Sequence, residues 1–324
     1  MGENEKVYQH LIPKVYMKKW INSNDKIYIF EKNDVSNVDK KELDKKELDN
    51  FAGKKNYYTL FKGTPPYYYD MDKSVDKIEE RDLIIENAWS KEQENKWNSL
   101  VKNIENNVLS AKKKHIKCFK KNEIIEFIHL MKYRGFKAES MFREVLKKSI
   151  KDENLFGEAI EKSGKYDENL KKFLSKYLLE YLDAESKYLP ENEQLTHLLL
   201  LNEMRKFHSK EDNSYLRTEL ELYVDNITIS FVVANENISF ITSDNPSFLF
   251  DISEVRSNIK GTVNIMPITP KIVAIFLYCK DKDNLKKFKI EKVDDFFVKK
   301  VNNVIIKNSY EYIISKTDNI EAII

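Results

Sequence analysis

Three short segments of the sequence place residues suited to acid–base chemistry or anion binding beside turn-forming residues. The first, Gln9 to Tyr16, carries His10 shortly before Pro13. Histidine is the side chain most easily used as an acid or base near neutral pH. The same histidine could instead cap the helix that follows, so the sequence leaves both roles open.

The second segment, Lys132 to Phe136, places Arg134 at the end of a predicted helix. A guanidinium there could bind a phosphate or a carboxylate through two parallel hydrogen bonds. It could also complement the negative C-terminal end of the helix or form an ordinary ion pair. The residue type alone does not separate these roles.

The third segment, Phe240 to Pro246, is an apolar strand that runs into Ser243, Asp244 and Asn245. Strand ends often present functional groups, because the sheet holds them rigidly while the loop exposes them. Short polar side chains also form turns by binding the backbone. Asn302, among apolar neighbours near the C-terminus, is a further candidate, because a buried amide needs partners.

The charge of the chain is nearly balanced, with 55 Lys and Arg against 53 Asp and Glu. This balance excludes a whole-protein field that would steer nucleic acid, but it allows a local basic patch. The run from Ala111 to Lys121 contains His115 and could contact phosphates, although an exposed helix face is the commoner role of such a run. The common signatures of metalloproteases, serine hydrolases and nucleotide-binding loops do not occur.

The cysteines and the apolar segments bear on location. Cys118 and Cys279 stand far apart and outside any CxxC pair, which is typical of reduced cysteines in a cytosolic protein and speaks against a structural zinc site. The first ten residues lack the apolar core of a signal peptide. The longest apolar run, Leu198 to Leu201, is too short to span a bilayer. We expect a cytoplasmic protein without membrane contact.

Hydrophobic periodicity predicts the N-terminal elements. Tyr8 to Trp20 indicates a short helix after an extended entry, and alternation over Lys26 to Lys32 predicts a strand. A second strand is expected around Tyr57 to Phe61, which would complete an N-terminal hairpin. Residues 33–50, with the duplication KKELDKKELD, are expected to form a polar loop or a short charged helix.

The middle of the chain, from Ile78 to about Leu182, is predicted to be mostly helical. Apolar spacing marks one helix around Ile124 to Met131 and another over Leu170 to Leu182. A further helix is expected from roughly Asn192 to Phe207.

Strand-forming residues dominate after residue 220. Ile227 to Ala234 and Ile238 to Thr242 are predicted to form a hairpin around Asn235-Glu236-Asn237. Two more strands are expected over Val263 to Met266 and Lys271 to Tyr278, and a last helix from about Val293 to Ser315.

The resulting prediction is an α+β fold with an N-terminal β-hairpin, a largely helical middle, and a C-terminal antiparallel-rich sheet closed by a final helix. The length suits a single domain over residues 1–324. It could be subdivided into a helical region, 78–210, and a β-rich region formed by 220–324 together with 1–62.

Taken in order, these motifs resemble the bacterial family known as domain of unknown function 4238 (DUF4238). The resemblance is carried from residue 9 to residue 315 by QHLIPKVYMKKW, KIYIFEK, EFIHLMKYRG, FITSDNP and NNVIIKNSYEYIIS. The chain departs from the family pattern at Met17, where Leu is usual, at Trp20, where Phe is usual, and at Gly135-Phe136, where a Thr-Pro pair often follows the Arg. The resemblance implies no established activity, but it implies one site made from the polar motif residues His10, Arg134, Ser243, Asp244, Asn245 and Asn302.

For such a site we expect a hydrolase that acts on a phosphate-containing substrate, such as a nuclease-like toxin or defence effector. His10 would act as acid or base, Asp244 would orient it or hold a divalent metal, and Arg134 would bind the phosphate. The remaining motif residues, Ser243, Asn245 and Asn302, would contact the substrate, either nucleic acid or a nucleotide. One alternative is a non-catalytic binding module for a nucleotide, peptide or partner protein. Another is a buried network that only stabilises the fold.

Overall fold

The described part of the chain falls into two compact units. The computed structural model describes residues 8–32, 40–44, 47–51, 53–55, 58, 60–61, 81–82, 84–134, 137–138, 193–211, 214–256 and 261–324. The first unit comprises Met1–Gln9, Lys55–Glu92 and Ala138–Glu221, and the second comprises His10–Lys54, Gln93–Lys137 and Leu222–Ile324. The described secondary structure is α+β, as predicted.

Strands and helices both occur in the N-terminal and the C-terminal parts of the described chain. The strands are β1 (Tyr8–His10), β2 (Lys26–Glu31), β3 (Lys40–Asp44), β4 (Gly53–Lys55), β5 (Leu60–Phe61), β6 (Arg81–Asp82), β7 (His115–Lys117), β8 (Ile227–Ala234), β9 (Thr242–Ser243), β10 (Phe248–Asp251), β11 (Thr262–Thr269), β12 (Ile272–Tyr278), β13 (Lys287–Val293) and β14 (Tyr312–Ser315). The α-helices are α1 (Lys14–Met17), α2 (Ile84–Asn87), α3 (Glu94–Leu109), α4 (Lys121–Lys132), α5 (Glu193–His208), α6 (Tyr215–Asn226) and α7 (Asp295–Asn308).

The first unit is described mainly through its helices. Helix α2 packs against α5, and the short strands β5 and β6 pair antiparallel. The buried carboxylate of Glu203 in α5 accepts a hydrogen bond from the backbone N–H of Tyr215, 2.8 Å away, at the start of α6. Helix α5 confirms the helix predicted around Asn192 to Phe207. The helix predicted over Leu170 to Leu182 lies outside the described residues.

The second unit contains two sheets and one large core. The six-stranded sheet has the order β10-β11-β12-β8-β13-β7 and is antiparallel except where β13 runs parallel to β8. The four-stranded sheet has the order β3-β2-β14-β9. Because β12 is buried on both faces over most of its length, its sequence is a continuous apolar run, IVAIFLY. One apolar cluster joins both sheets to α7 through residues such as Val232, Ile275, Val301, Ile305 and Ile313.

The N-terminal hairpin is present, but its second strand is β3; the strand predicted over Tyr57 to Phe61 is seen in its described end, Leu60–Phe61, as β5, which pairs with β6 instead. Strand β3 lies inside the charged duplication that was expected to be a loop or a short helix, and it pairs antiparallel with β2. Leu43, opposite Ile27, is only 2% exposed. One apolar residue facing the core is enough to place this otherwise charged segment as an edge strand.

The hairpin predicted between Ile227–Ala234 and Ile238–Thr242 is wrong in its second half. Strand β8 forms as expected, but its neighbours are β12 and β13. The backbone before β9 is bonded by a side chain instead: Asn302 accepts from the N–H of Ile241 at 3.1 Å and donates to the carbonyl of Ser239 at 3.0 Å. These bonds replace the ladder that a hairpin would have supplied.

The final helix is shorter than predicted at both ends. Val293 belongs to β13, and α7 starts after Asp294, whose side chain caps the N–H of Phe297 at 2.9 Å. The helix ends at Asn308, where the Lys32 ammonium donates to the carbonyls of Lys307 and Ser309 at 3.0 and 2.8 Å. Residues 312–315, predicted as helix, form β14 between β2 and β9.

The predicted N-terminal helix is confirmed as α1 and a following 3-10 turn, and buried polar contacts hold it in place. The Tyr16 hydroxyl donates to the carbonyl of Pro267 at 2.8 Å and lies 2.6 Å from the Thr242 hydroxyl. The Trp20 indole N–H donates to the carbonyl of Phe240 at 3.1 Å. Contacts from Tyr16 and Trp20 thereby attach the N-terminal segment to the third polar motif, at Phe240 and Thr242.

Tyr16→Phe should destabilise the protein by about 1–3 kcal/mol, because it leaves the buried Pro267 carbonyl without this donor. Chemical denaturation of both proteins measures the difference. Tyr28→Phe is the matched control, since the Tyr28 hydroxyl forms no hydrogen bond with another described residue. Equal stability losses in the two variants would contradict the assigned role of Tyr16.

Candidate functional site

Arg134 lies at the end of α4 and joins three elements of the second unit. Its side chain is 4% exposed and forms an ion pair with Glu94 at the start of α3, with 2.8 Å between Nη2 and Oε1. Its Nε and Nη2 also donate to the backbone carbonyl of His10, at 3.2 and 2.8 Å. The structure therefore brings Arg134 and His10 together, with the backbone of His10 as the contact.

The His10 imidazole is half-buried in the same cluster. Burial lowers the pKa of His10 most, and the nearby Arg134 guanidinium lowers it further. The Glu94 carboxylate and a hydrogen bond with the backbone of Leu48 act in the opposite direction without reversing the shift. The neutral form of His10 is therefore favoured near neutral pH. We call His10, Arg134 and Glu94 the arginine cluster.

Asp244 is fully buried, and its carboxylate binds three consecutive backbone N–H groups. Oδ1 accepts from Tyr310 at 2.8 Å, and Oδ2 accepts from Glu311 at 2.6 Å and from Tyr312 at 2.9 Å. Its own N–H donates to the carbonyl of Tyr312 at 3.1 Å. Burial raises the pKa of Asp244, and the three N–H donors offset part of that rise. These bonds hold the link between α7 and β14.

The other predicted substrate contacts also bind the backbone. The Ser243 hydroxyl donates to the carbonyl of Asn245 at 3.1 Å and accepts from its N–H at 3.2 Å. The Asn245 amide donates to the carbonyl of Asn308 at 2.9 Å, where α7 ends. Asn302 adds a bond to the carbonyl of Ile323, 2.6 Å away. We call Ser243, Asp244, Asn245 and Asn302 the turn network.

The six predicted residues thus fall into two groups. His10 and Arg134 belong to the arginine cluster, whereas the other four form the turn network, with Asn302 in the middle of α7 and Asp244 and Asn245 bound to residues at and after its C-terminal end. The groups that influence His10 are Arg134, Glu94, Leu48 and Lys14, while Asp244 binds residues 310–312. Within the described parts of the chain, no three His, Cys, Asp or Glu side chains are grouped so that they could hold a metal ion.

A basic surface forms where the lysine run pairs with a second charged segment. The run was expected to be a helix face, but residues 115–117 form β7, an edge strand of the six-stranded sheet. In its antiparallel pairing with β13, Lys117 stands opposite Lys287 and His115 stands opposite Lys289. Opposed residues project to the same side of a sheet, so like charges are placed side by side.

Two cavities border this pairing. One of about 390 Å³ is lined by residues 115–117, 283–284 and 286–287, and one of about 710 Å³ by residues 109–114 and 289–292. We call the basic side chains that line them the lysine surface: Lys112, Lys113, Lys114, His115, Lys117, Lys286, Lys287, Lys289 and Lys292. The run was visible in the sequence, but only the pairing of β7 with β13 joins it to the second set of lysines.

Glu291 is the carboxylate of the larger cavity, and its charge is already balanced. Burial alone would raise the pKa of Glu291, but hydrogen bonds from Lys289, Arg256 and Ser230 lower it below its ordinary value. The Lys289 ammonium and the Ser230 hydroxyl lie 2.8 and 2.7 Å from Oε1. Other basic groups, such as Lys117 and Lys287, form no ion pair with another described residue. The surface therefore keeps unneutralised positive charge.

Fold and site together define an α+β protein with a buried polar network beside α7 and a basic sheet edge. The model of the family described as protein of unknown function (DUF4238) matches residues 8–319, so the chain belongs to that family. Comparison with curated proteins and with solved structures gave no significant match. Among the helices that the structure describes, none has the length and apolar character needed to cross a membrane.

Asp244→Asn should destabilise the fold by more than about 2 kcal/mol, because an amide offers one oxygen and turns its own N–H groups toward backbone donors. Thermal and urea unfolding measure the loss. Asp294→Asn is the matched control, since Asn caps a helix as well as Asp does. An unchanged melting temperature for Asp244→Asn would contradict the structural role of this carboxylate.

Lys287→Glu should raise the free energy of unfolding by about 0.5 kcal/mol at low ionic strength, because it replaces a like-charged cross-strand pair with an attractive one. The gain should shrink as salt is added. Lys41→Glu is the control, since exposed Lys41 in β3 stands opposite the apolar Ile29. Equal effects of the two substitutions in urea titrations would show that the opposed lysines do not repel.

Proposed function

We propose that the protein is a binding module that takes up a phosphate-containing ligand on the lysine surface. The observation that carries this proposal is the pairing of Lys117 with Lys287 across two strands, with no carboxylate partner for either among the described residues. Like charges directly opposed in a sheet are destabilising. A bound anion would remove that repulsion, and a local rule broken without compensation is typical of functional sites.

If the lysine run were only a solvent-exposed surface, its lysines would not be expected to gather in concave sites. Eight lysines line the two cavities, three in the smaller and five in the larger, against the two carboxylates Asp283 and Glu291. Asp283 lies 3.5 Å from Lys286, and Glu291 is held by three partners. The excess of positive charge is concentrated in concave sites of a chain whose total charge is only +2. This concentration supports binding of a phosphate-bearing ligand.

Calorimetric titration with inorganic polyphosphate and with a nucleoside triphosphate tests the proposal. We expect binding that weakens as salt is raised, and a loss of at least several-fold in affinity when Lys117 and Lys287 are both changed to Gln. Changing Lys41 and Lys316 to Gln removes the same charge from exposed positions elsewhere and should leave the affinity unchanged. Equal affinities of the two double variants would refute a site at the lysine surface.

A second candidate is the phosphate-directed hydrolase, and one observation favours it. The pKa of His10 is lowered by burial and by Arg134, so a neutral imidazole is present near neutral pH, as a general base requires. In this proposal His10 accepts the proton and Arg134 binds the phosphate, whereas the Asp244 carboxylate binds the backbone N–H groups of residues 310–312. Because Arg134 and Asp244 bind groups of the protein itself, the support for this candidate comes from His10.

Cleavage assays on RNA and DNA, with and without Mg²⁺, test the hydrolase. Wild-type protein should cleave, and His10→Gln should lose at least about a hundredfold in rate with an unchanged melting temperature, as general-base removal predicts. Full activity of His10→Gln, or no cleavage by the wild type, would eliminate this candidate. A cytoplasmic location is part of both proposals and is supported by the free thiols of Cys118 and Cys279.

A further inference from the structure

We infer that the ligand of the lysine surface is a single strand of nucleic acid that lies across the β7–β13 pairing, with its phosphates on the lysines and a base against the ring of His115. This inference rests on the proposed function and names the class of its ligand. It follows from how the basic groups are arranged, from the shape of the cavities and from the exposure of one ring.

The basic groups form an extended array rather than a convergent cluster. Lys287 and Lys289 are alternate residues of β13, so they lie about 7 Å apart on the same side of the sheet, with Lys287 unpaired among the described residues and Lys289 bound to Glu291. Lys117 stands opposite Lys287, and residues 112–114 continue the array beyond β7. A mononucleotide site gathers its donors around one phosphate group, whereas this array suits successive phosphates of an extended strand.

The cavities favour a single strand over a duplex. Their volumes of about 390 and 710 Å³ fall within the range of about 300–1,000 Å³ that is usual for small-molecule pockets. Each can therefore take in individual nucleotide units. A duplex is read by an element that projects into its groove, whereas this part of the sheet presents two hollows. Hollows lined by lysines can follow the backbone of one strand.

His115 supplies a ring at the boundary between the two cavities. It is exposed, it lines the smaller cavity, and it stands opposite Lys289, which lines the larger one. Aromatic rings, including imidazole, stack on nucleic-acid bases with little dependence on sequence. Phe119 nearby in sequence is already engaged, since its ring meets the edge of Phe288 with 5.2 Å between centroids. His115 is therefore the ring placed to receive a base.

Fluorescence anisotropy with a labelled single-stranded oligonucleotide of mixed sequence tests this inference on the full chain. We expect affinity to fall with salt, with a log–log slope of roughly 0.7 for each phosphate contact. Changing Lys114, Lys117 and Lys287 together to Gln should reduce the slope by about 2, whereas changing Lys41, Lys96 and Lys316 together to Gln should leave it unchanged. His115→Ala should weaken binding by about tenfold, and His115→Phe should restore it, because stacking and not charge is required.

Each other outcome has a defined meaning. The inference would be overturned if duplex bound as tightly as single strand. It would also be overturned if neither the triple lysine variant nor His115→Ala changed the affinity for the oligonucleotide. If a nucleoside triphosphate bound as tightly as the oligonucleotide, the ligand would not be specifically a single strand, but the proposed binding of a phosphate-containing ligand would still hold. Binding only to vesicles that contain phosphatidylserine, or only to an acidic peptide, would also overturn it. Failure of every phosphate ligand to bind would refute both the single-strand inference and the proposed binding module. Circular dichroism of each variant confirms that the fold is retained.

Discussion

The second unit depends on one carboxylate that satisfies the backbone where a helix turns into a strand. Asp244 binds the N–H groups of residues 310–312, where the chain passes from the end of α7 to the start of β14. Buried N–H groups without partners would cost about 1–3 kcal/mol each. Because β14 then lies between β2 and β9, the four-stranded sheet requires this link. Asn245 donates to the last carbonyl of α7, at Asn308, and Asn302, from the middle of that helix, binds the backbone of Ser239, Ile241 and Ile323.

The polar residues of this family member therefore serve two different purposes. Those of the turn network are buried and bind the chain itself. Arg134 does the same for three elements through His10 and Glu94. The lysines along β7 and β13 lie at the surface instead: Lys289 is paired with Glu291, while Lys117 and Lys287 form no ion pair with another described residue. The unpaired charges of Lys117 and Lys287 therefore support ligand binding more directly than the buried network does.

The sequence predicted the elements whose signals are local. The apolar spacing of α4 and α5 and the apolar runs of β8, β11 and β12 were sufficient to place them. The errors occurred where a distant group decided the outcome. The strand expected over Ile238 to Thr242 failed because Asn302, sixty-one positions after Ile241, took its backbone bonds. The last helix was predicted too long because Lys32 and Asp244, far away in sequence, stabilise its end and the strand that follows.

The sequence by itself determined the α+β class, the family, and the types of residue that form the buried network. The tertiary structure alone decided that His10 meets Arg134 through its carbonyl, that Asp244 serves the backbone, and that two lysine segments about 170 positions apart become neighbours. The physical reason is that periodicity and propensity report a residue's local surroundings. Hydrogen-bond partners and the sum of charges on a surface depend instead on which strands pair, and that pairing is settled only when the core closes.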